Sequence, residues 1–129
     1  MIVLDTHVFI WCLLDDPQLP PLFRQQVDSA PDKVFIPSVC IWEAMLLAEK
    51  GRVTFGKGEP EHNLKKYLQI CSFKQAPLTS EIAMLSRTLA FDHNDPADRF
   101  IAATAHAMKC KLATSDRNLR TLPWVRLAY

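Results

Sequence analysis

Apolar residues along this chain fall either in short compact runs or in longer stretches at helical spacing, and the order of the two predicts the architecture. Residues 1–4 form a short apolar run that ends at Asp5. Bulky residues then continue over 6–14 until Asp15-Asp16-Pro17 stops them, so the segment reads as a strand followed by a helix. Pro20-Pro21 opens a helix through Leu22, Phe23, Gln26 and Val27 that ends before Ala30-Pro31, and 33–36 reads as a second short strand. Pro37-Ser38 precedes Val39, Ile41, Trp42, Met45 and Leu46. This predicts a helix capped at its start and stopped by Gly51.

Residues 52–59, with Gly56 and Gly58, are expected to form an exposed hairpin-like loop, and 61–70 shows helical spacing through Leu64, Tyr67 and Leu68. A third strand is expected over 73–78. Thr79-Ser80-Glu81 then opens an amphipathic segment with Ile82, Leu85 and Leu89 on one face. The clearest helix starts at Asp95-Pro96-Ala97-Asp98, where Asp95 can cap and Pro96 suits the first helical position. After it, 111–114 reads as a strand ending at Ser115-Asp116, 118–123 as a turn or short helix, and 125–129 as a final edge strand. Helices alternating with short apolar strands predict an α/β fold, three-layered, with a central mainly parallel sheet flanked by helices.

Composition narrows the function classes. At 129 residues, 49% of them hydrophobic, the chain suits one globular domain over 1–129. Its apolar runs are interrupted well short of the roughly 20 residues a bilayer crossing needs. The start lacks the basic and small-residue pattern of a secretory signal, so a cytoplasmic location is expected. Cys12, Cys40, Cys71 and Cys110 are far apart and lie mostly among apolar neighbours, as reduced thiols do, and the four histidines show no metal-binding spacing. A net charge of +1 gives no global pull on nucleic acid, so polyanion binding would have to rest on local patches.

The acids carry the chemistry. In an open parallel sheet, functional groups collect at the carboxyl ends of the strands. Asp5 and Asp116 each close a strand, Glu43 lies early in the helix after the second strand, and Asp98 lies in the first turn of its helix. Four carboxylates from four distant segments can therefore meet. Such a cluster is costly unless a cation neutralises it, and an all-oxygen donor set suits Mg²⁺ or Mn²⁺. A hydrated ion held there could make hydroxide from water, which is the chemistry of phosphodiester hydrolysis. Three of the acids also have a plain alternative, Asp98 as a dipole partner, Asp116 as a turn former and Glu43 in a buried ion pair, whereas Asp5, closing a buried strand, needs a partner or an ion. Asp95 fits the capping role best.

Leu4-Asp5-Thr6-His7 with Trp11, the segments 38–52 and 95–105, and Thr114 to Arg117 together resemble the PIN-domain family, and more narrowly its VapC-type toxins. The resemblance spans nearly the whole chain. It implies a PIN-like fold, Mg²⁺- or Mn²⁺-dependent endoribonuclease activity on RNA, a cognate VapB-type antitoxin and a homodimer. Carried over by position, Asp5, Glu43, Asp98 and Asp116 match the family's acidic quartet. Thr6 and Thr114 match hydroxyls able to orient a carboxylate or a metal-bound water, with ordinary strand-end hydrogen bonding as the alternative. Arg99, Arg117 and Arg120 lie beside the quartet and are candidates for RNA phosphates, with surface solvation or a salt bridge to the quartet as the alternative and a structural role for Arg99 in particular. Two rival readings stand beside the nuclease. An aspartyl-phosphate enzyme is disfavoured because His7 stands where an Asp-x-Asp signature needs an acid. A catalytically silent PIN-like module acting through an antitoxin or RNA partner keeps the same fold and acids.

Overall fold

In the computed structural model, which describes residues 1–129, four short strands build one sheet. These are β1 (Ile2–Leu4), β2 (Val34–Pro37), β3 (Lys74–Ala76) and β4 (Lys111–Ala113), all parallel, in the order β3-β2-β1-β4. Ile2 pairs with Val34 on one side and with Lys111 on the other, which fixes β1 at the centre. Parallel strands packed on both faces need continuously apolar sequence. Val3, Leu4, Ile36, Leu112 and Ala113 are all fully buried accordingly.

Seven helices surround the sheet: α1 (Thr6–Leu14), α2 (Pro21–Ser29), α3 (Ser38–Glu49), α4 (Pro60–Ile70), α5 (Ser80–Thr88), α6 (Pro96–Ala107) and α7 (Arg117–Arg120). The result is the three-layer α/β arrangement that the alternation of elements predicts. One core cluster joins Phe9 and Val8 of α1, Cys40 and Ala44 of α3, and Ile101 and Ala102 of α6 to the strands. Each large apolar side chain fully buried there contributes about 1.5–3 kcal/mol. The small residues Ala102, Ala103 and Ala105 let α6 lie close to its neighbours. No helix is long and apolar enough to cross a membrane.

The topology has one reversal. From β1 the chain adds β2 and then β3 on one side, and then returns to place β4 on the other. The carboxyl ends of β1 and β4 therefore flank the crevice where open parallel sheets place their functional groups.

Several local expectations need correction. Ser38 does not cap α3: Pro37 holds that position without a side-chain bond, and the Ser38 hydroxyl reaches instead to the Ala76 carbonyl at 3.5 Å. Gly51 does end the helix region, at φ +70°, a left-handed turn that favours glycine. The loop over 52–59 is not fully exposed, since Phe55 is buried and meets the Tyr67 ring at 6.4 Å between centroids. The final edge strand shrinks to one parallel bridge between Leu112 and Leu127. Only two backbone bonds hold it, Leu112 N–H to Arg126 and Ala128 N–H to Leu112, because the flanking residues serve other anchors. Trp124 donates to the Ala90 carbonyl at 2.8 Å, and the Tyr129 carbonyl accepts from Arg120 at 2.9 Å.

Candidate active site

Asp5 follows directly on β1, and its backbone N–H bonds to Ala113 of β4 at 2.9 Å. The side chain is buried, with Oδ1 accepting from the Thr6 N–H at 2.7 Å and Oδ2 from the Thr114 hydroxyl at 2.6 Å. A buried carboxylate is tolerable only with such donors. Burial still dominates and raises the Asp5 pKa, opposed by these two bonds and reinforced by the charge of Glu43.

Glu43 projects from α3, one and a half turns past the carboxyl end of β2. Its Oε1 accepts a short hydrogen bond from the Thr6 hydroxyl. Asp116 caps α7, its Oδ1 accepting from Asn118 N–H at 2.8 Å, while its own N–H donates to Thr114 Oγ1 at 3.0 Å. Asp98 sits in the first turn of α6 under the Asp95 cap, whose Oδ1 accepts from the Asp98 N–H at 3.3 Å. The Asp98 carboxyl contacts His93 Nε2 at 3.0 Å.

Electrostatics tie these positions together. Burial, followed by the charges of Asp5, Asp95 and Asp116, pushes the Asp98 pKa up to about 8. Asp5 in turn feels Glu43. The acids named in the sequence therefore share one electrostatic neighbourhood at the carboxyl end of β1 and β4. It opens into a cleft of about 310 Å³ lined by Asp5, His7, Trp11, Ser115 and Asp116. No three Asp, Glu, His or Cys side chains close on one point at metal-ligating spacing. Of the four acids, Asp5 and Asp116 line the cleft, while Glu43 and Asp98 reach them through electrostatics rather than through its wall.

Each acid has a donor or partner on its own chain. Thr6 and Thr114 are both fully buried and hold Glu43 and Asp5 respectively. His93 does this for Asp98, and the Asn118 N–H for Asp116. Sequence reasoning missed His93. It lies five residues before Asp98 in an irregular loop with no periodic signal, so only the fold brings the two together. Its Nδ1 is buried without a hydrogen-bond partner.

The arginines divide. Arg117 is exposed at the start of α7, beside Asp116. Arg99 requires correction: it is buried, with Nε donating to the Ser86 carbonyl at 2.7 Å and Nη1 to His93 at 3.3 Å, and its guanidinium lies 4.5 Å from the Phe91 ring centroid. It braces α5 and the His93 loop and is not available to RNA phosphates. Arg120 is similarly committed, donating to the Thr114 carbonyl at 2.8 Å and the Tyr129 carbonyl at 2.9 Å, so it too acts as a strut.

The profile of the PIN domain family matches residues 2–125. The chain belongs to the PIN domain family. A curated relative of this PIN domain, Ribonuclease VapC22 of Mycobacterium tuberculosis, is 27% identical over 122 residues, covering 93% of this chain and 90% of that protein. Solved structures share the fold. The DNA-bound VapBC of Salmonella typhimurium superposes with a TM-score of 0.69 at 20% identity over 98% of this chain and 95% of that one. FitAcB of Neisseria gonorrhoeae gives 0.69 at 24% identity over 98% and 96%.

Proposed function

We propose that this PIN domain is a divalent-metal-dependent endoribonuclease that hydrolyses RNA phosphodiester bonds, and that it serves as the toxin of a VapBC-like pair. The observation that supports the reading is the placement of Asp5 and Asp116 in the cleft where β1 and β4 end, with burial and Glu43 raising the Asp5 pKa, and with burial, Asp5, Asp95 and Asp116 pushing the Asp98 pKa up to about 8. The ribonuclease name of the curated relative, which matches nearly end to end, supports the choice of RNA. The VapBC complexes among the fold relatives support a VapB-type antitoxin partner. A homodimer and a cytoplasmic location complete the proposal.

The donor set fits Mg²⁺ or Mn²⁺, because it is all oxygen and carries charge that its own surroundings do not neutralise. Asp5, Asp98 and Asp116 would hold the ion, which supplies charge neutralisation at the phosphate and a more acidic water. The rest is work for the protein's own groups. Thr6 fixes one Glu43 oxygen and leaves the other to orient the attacking water and take its proton. Thr114 and the Thr6 N–H fix the Asp5 carboxylate, and His93 fixes Asp98, so each of these carboxyls is oriented before substrate arrives. Arg117 is the free cation at the rim for a neighbouring RNA phosphate.

Purified protein incubated with structured RNAs should cut them with Mg²⁺ or Mn²⁺, and should lose that activity in EDTA or as Asp98→Asn. Cleavage indifferent to both would sink the metal mechanism. No cleavage by the wild-type protein under any divalent ion would leave the binding-module reading in its place.

A further inference from the structure

The opposite edge of the sheet, where β1, β2 and β4 begin, carries a second constellation. Lys33, Lys109, Lys111 and Arg126 line a cavity of about 240 Å³ together with Ile2 and Val34, and no Asp or Glu forms part of its wall. All four cations are exposed. None takes part in an ion pair, since the Lys and Arg pairs in the protein are Arg24 with Asp15 and Lys65 with Glu61. The arrangement is built into the backbone. Lys109 adopts φ +56°, a left-handed turn costly for a lysine, and its carbonyl accepts a short hydrogen bond from the Arg126 guanidinium. Lys111 follows two residues later as the first residue of β4.

A second cavity of about 200 Å³ adjoins the first, sharing Lys109 and Arg126, and is lined by Trp124 and His106. The two rings meet edge to face at 5.5 Å between centroids and 89°. The indole N–H is tied to the Ala90 carbonyl, which holds the ring in place. A chain of net charge +1 thus concentrates four unpaired cations around one acid-free hollow, next to a fixed aromatic group. Cations that track a backbone beside an aromatic platform are what single-stranded nucleic acid requires, whereas a duplex keeps its bases stacked inside.

We propose that this edge is a second nucleic-acid subsite: Lys33, Lys109, Lys111 and Arg126 take phosphates of a single-stranded RNA segment while a base rests against Trp124. The choice of RNA over other polyanions rests on the ribonuclease reading. The three-residue strands put the subsite about 10 Å from the carboxylates, at about 3.3 Å per residue. It therefore binds substrate away from the scissile phosphate and raises affinity without touching the reacting atoms.

The test is fluorescence anisotropy with a labelled single-stranded oligoribonucleotide, using Asp98→Asn protein so that the probe survives. Lys33→Gln/Lys111→Gln in that background should weaken binding roughly tenfold and lower the salt slope by about 1.4, at about 0.7 per phosphate contact on a single strand. The melting temperature should not move, because neither side chain makes a hydrogen bond. In otherwise wild-type protein the same pair should raise KM for RNA and leave kcat unchanged. Undiminished binding by the double variant would overturn the subsite. Equal affinity for the duplex form of the probe would remove the single-strand assignment, and equally tight binding of poly-glutamate would make this a site for acidic polypeptides instead. Failure of the wild-type protein to cut RNA would count against the ribonuclease reading, while the binding comparison would still be decided on its own terms.

Discussion

Thr114 donates its hydroxyl to Asp5 Oδ2 at 2.6 Å, joining the ends of β4 and β1 across 109 positions of sequence. The same oxygen accepts from the Asp116 N–H at 3.0 Å, so one buried hydroxyl sets two of the four acids. Valine has nearly the same shape and neither bond. Thr114→Val should cost about 2 kcal/mol, the scale of a hydrogen bond to a charged group, and lower the melting temperature by roughly 5–10 °C. RNA cleavage should fall with it. Thr114→Ser restores the hydroxyl and should recover most of both, and a valine variant with full activity would remove Thr114 from the positioning role.

Asp98 gives a stability signature of the opposite sign. Its pKa is pushed up to about 8 by burial and by Asp5, Asp95 and Asp116, against an ordinary value of 3.8, so the folded protein holds a proton that the unfolded chain releases. Stability from this group is fully present below about pH 4 and is lost as pH rises toward 8. Asp5, also raised, acts in the same direction. Denaturation of EDTA-treated protein should therefore show stability declining from pH 5 to 8. Asp98→Asn should flatten that decline and match or exceed wild-type stability near pH 8, while abolishing cleavage. Mg²⁺ or Mn²⁺ should stabilise the wild-type protein most at the alkaline end. A metal-free profile that rises over this range would contradict the raised pKa.

How much of this was legible beforehand depended on whether a feature is local. Asp95 capping, Pro96 at the first helical position and Asp98 in the first turn lie within four consecutive residues, and the structure repeats them. The run from Ile2 to Leu4 closing at Asp5 is equally local, whereas Asp116 lies three positions past the end of β4 and caps α7. What the sequence concealed depends on contacts over distance. Ser38 has the right residue type for a cap, yet its hydroxyl faces the Ala76 carbonyl of a strand 38 positions away. Residues 125–129 have strand composition, but Arg120 and Ser115 draw Tyr129 out of the ladder. Arg99 and Arg120 look like phosphate ligands by proximity to acids, and only the folded chain reveals the carbonyls that occupy them.

His93 is the residue that only the fold discloses. With Nε2 at 3.0 Å from Asp98 Oδ2, it restricts the orientation of a carboxyl that also interacts with the Asp116 side chain. Partners of metal-binding carboxylates are worth about 10–100-fold in metal affinity or activity. His93→Ala should lower Mn²⁺ affinity within that range, measurable by electron paramagnetic resonance of the free ion, with a matching loss of cleavage at limiting metal. His93→Gln, which keeps a polar terminus, should retain part of both. Equal Mn²⁺ affinity in all three proteins would reduce the contact to packing.

Arg99 separates bracing from RNA binding most sharply. Its guanidinium donates to the carbonyls of Ser86 and His93 and lies over Phe91, three attachments at different angles that the compact lysine ammonium cannot reproduce. Arg99→Lys should therefore destabilise the protein by about 2 kcal/mol, because buried carbonyls lose their donors. The damage should spread to Asp98 through the His93 loop, appearing as weaker Mn²⁺ binding. RNA affinity measured on protein that remains folded should keep its salt slope, since no phosphate contact is lost. Arg117→Gln should give the reverse pattern: unchanged stability, weaker RNA binding, and a salt slope reduced by about 0.7. If Arg99→Lys lowered the slope and left the melting temperature alone, Arg99 would be a phosphate ligand after all, and the burial of its guanidinium would have to open when RNA binds.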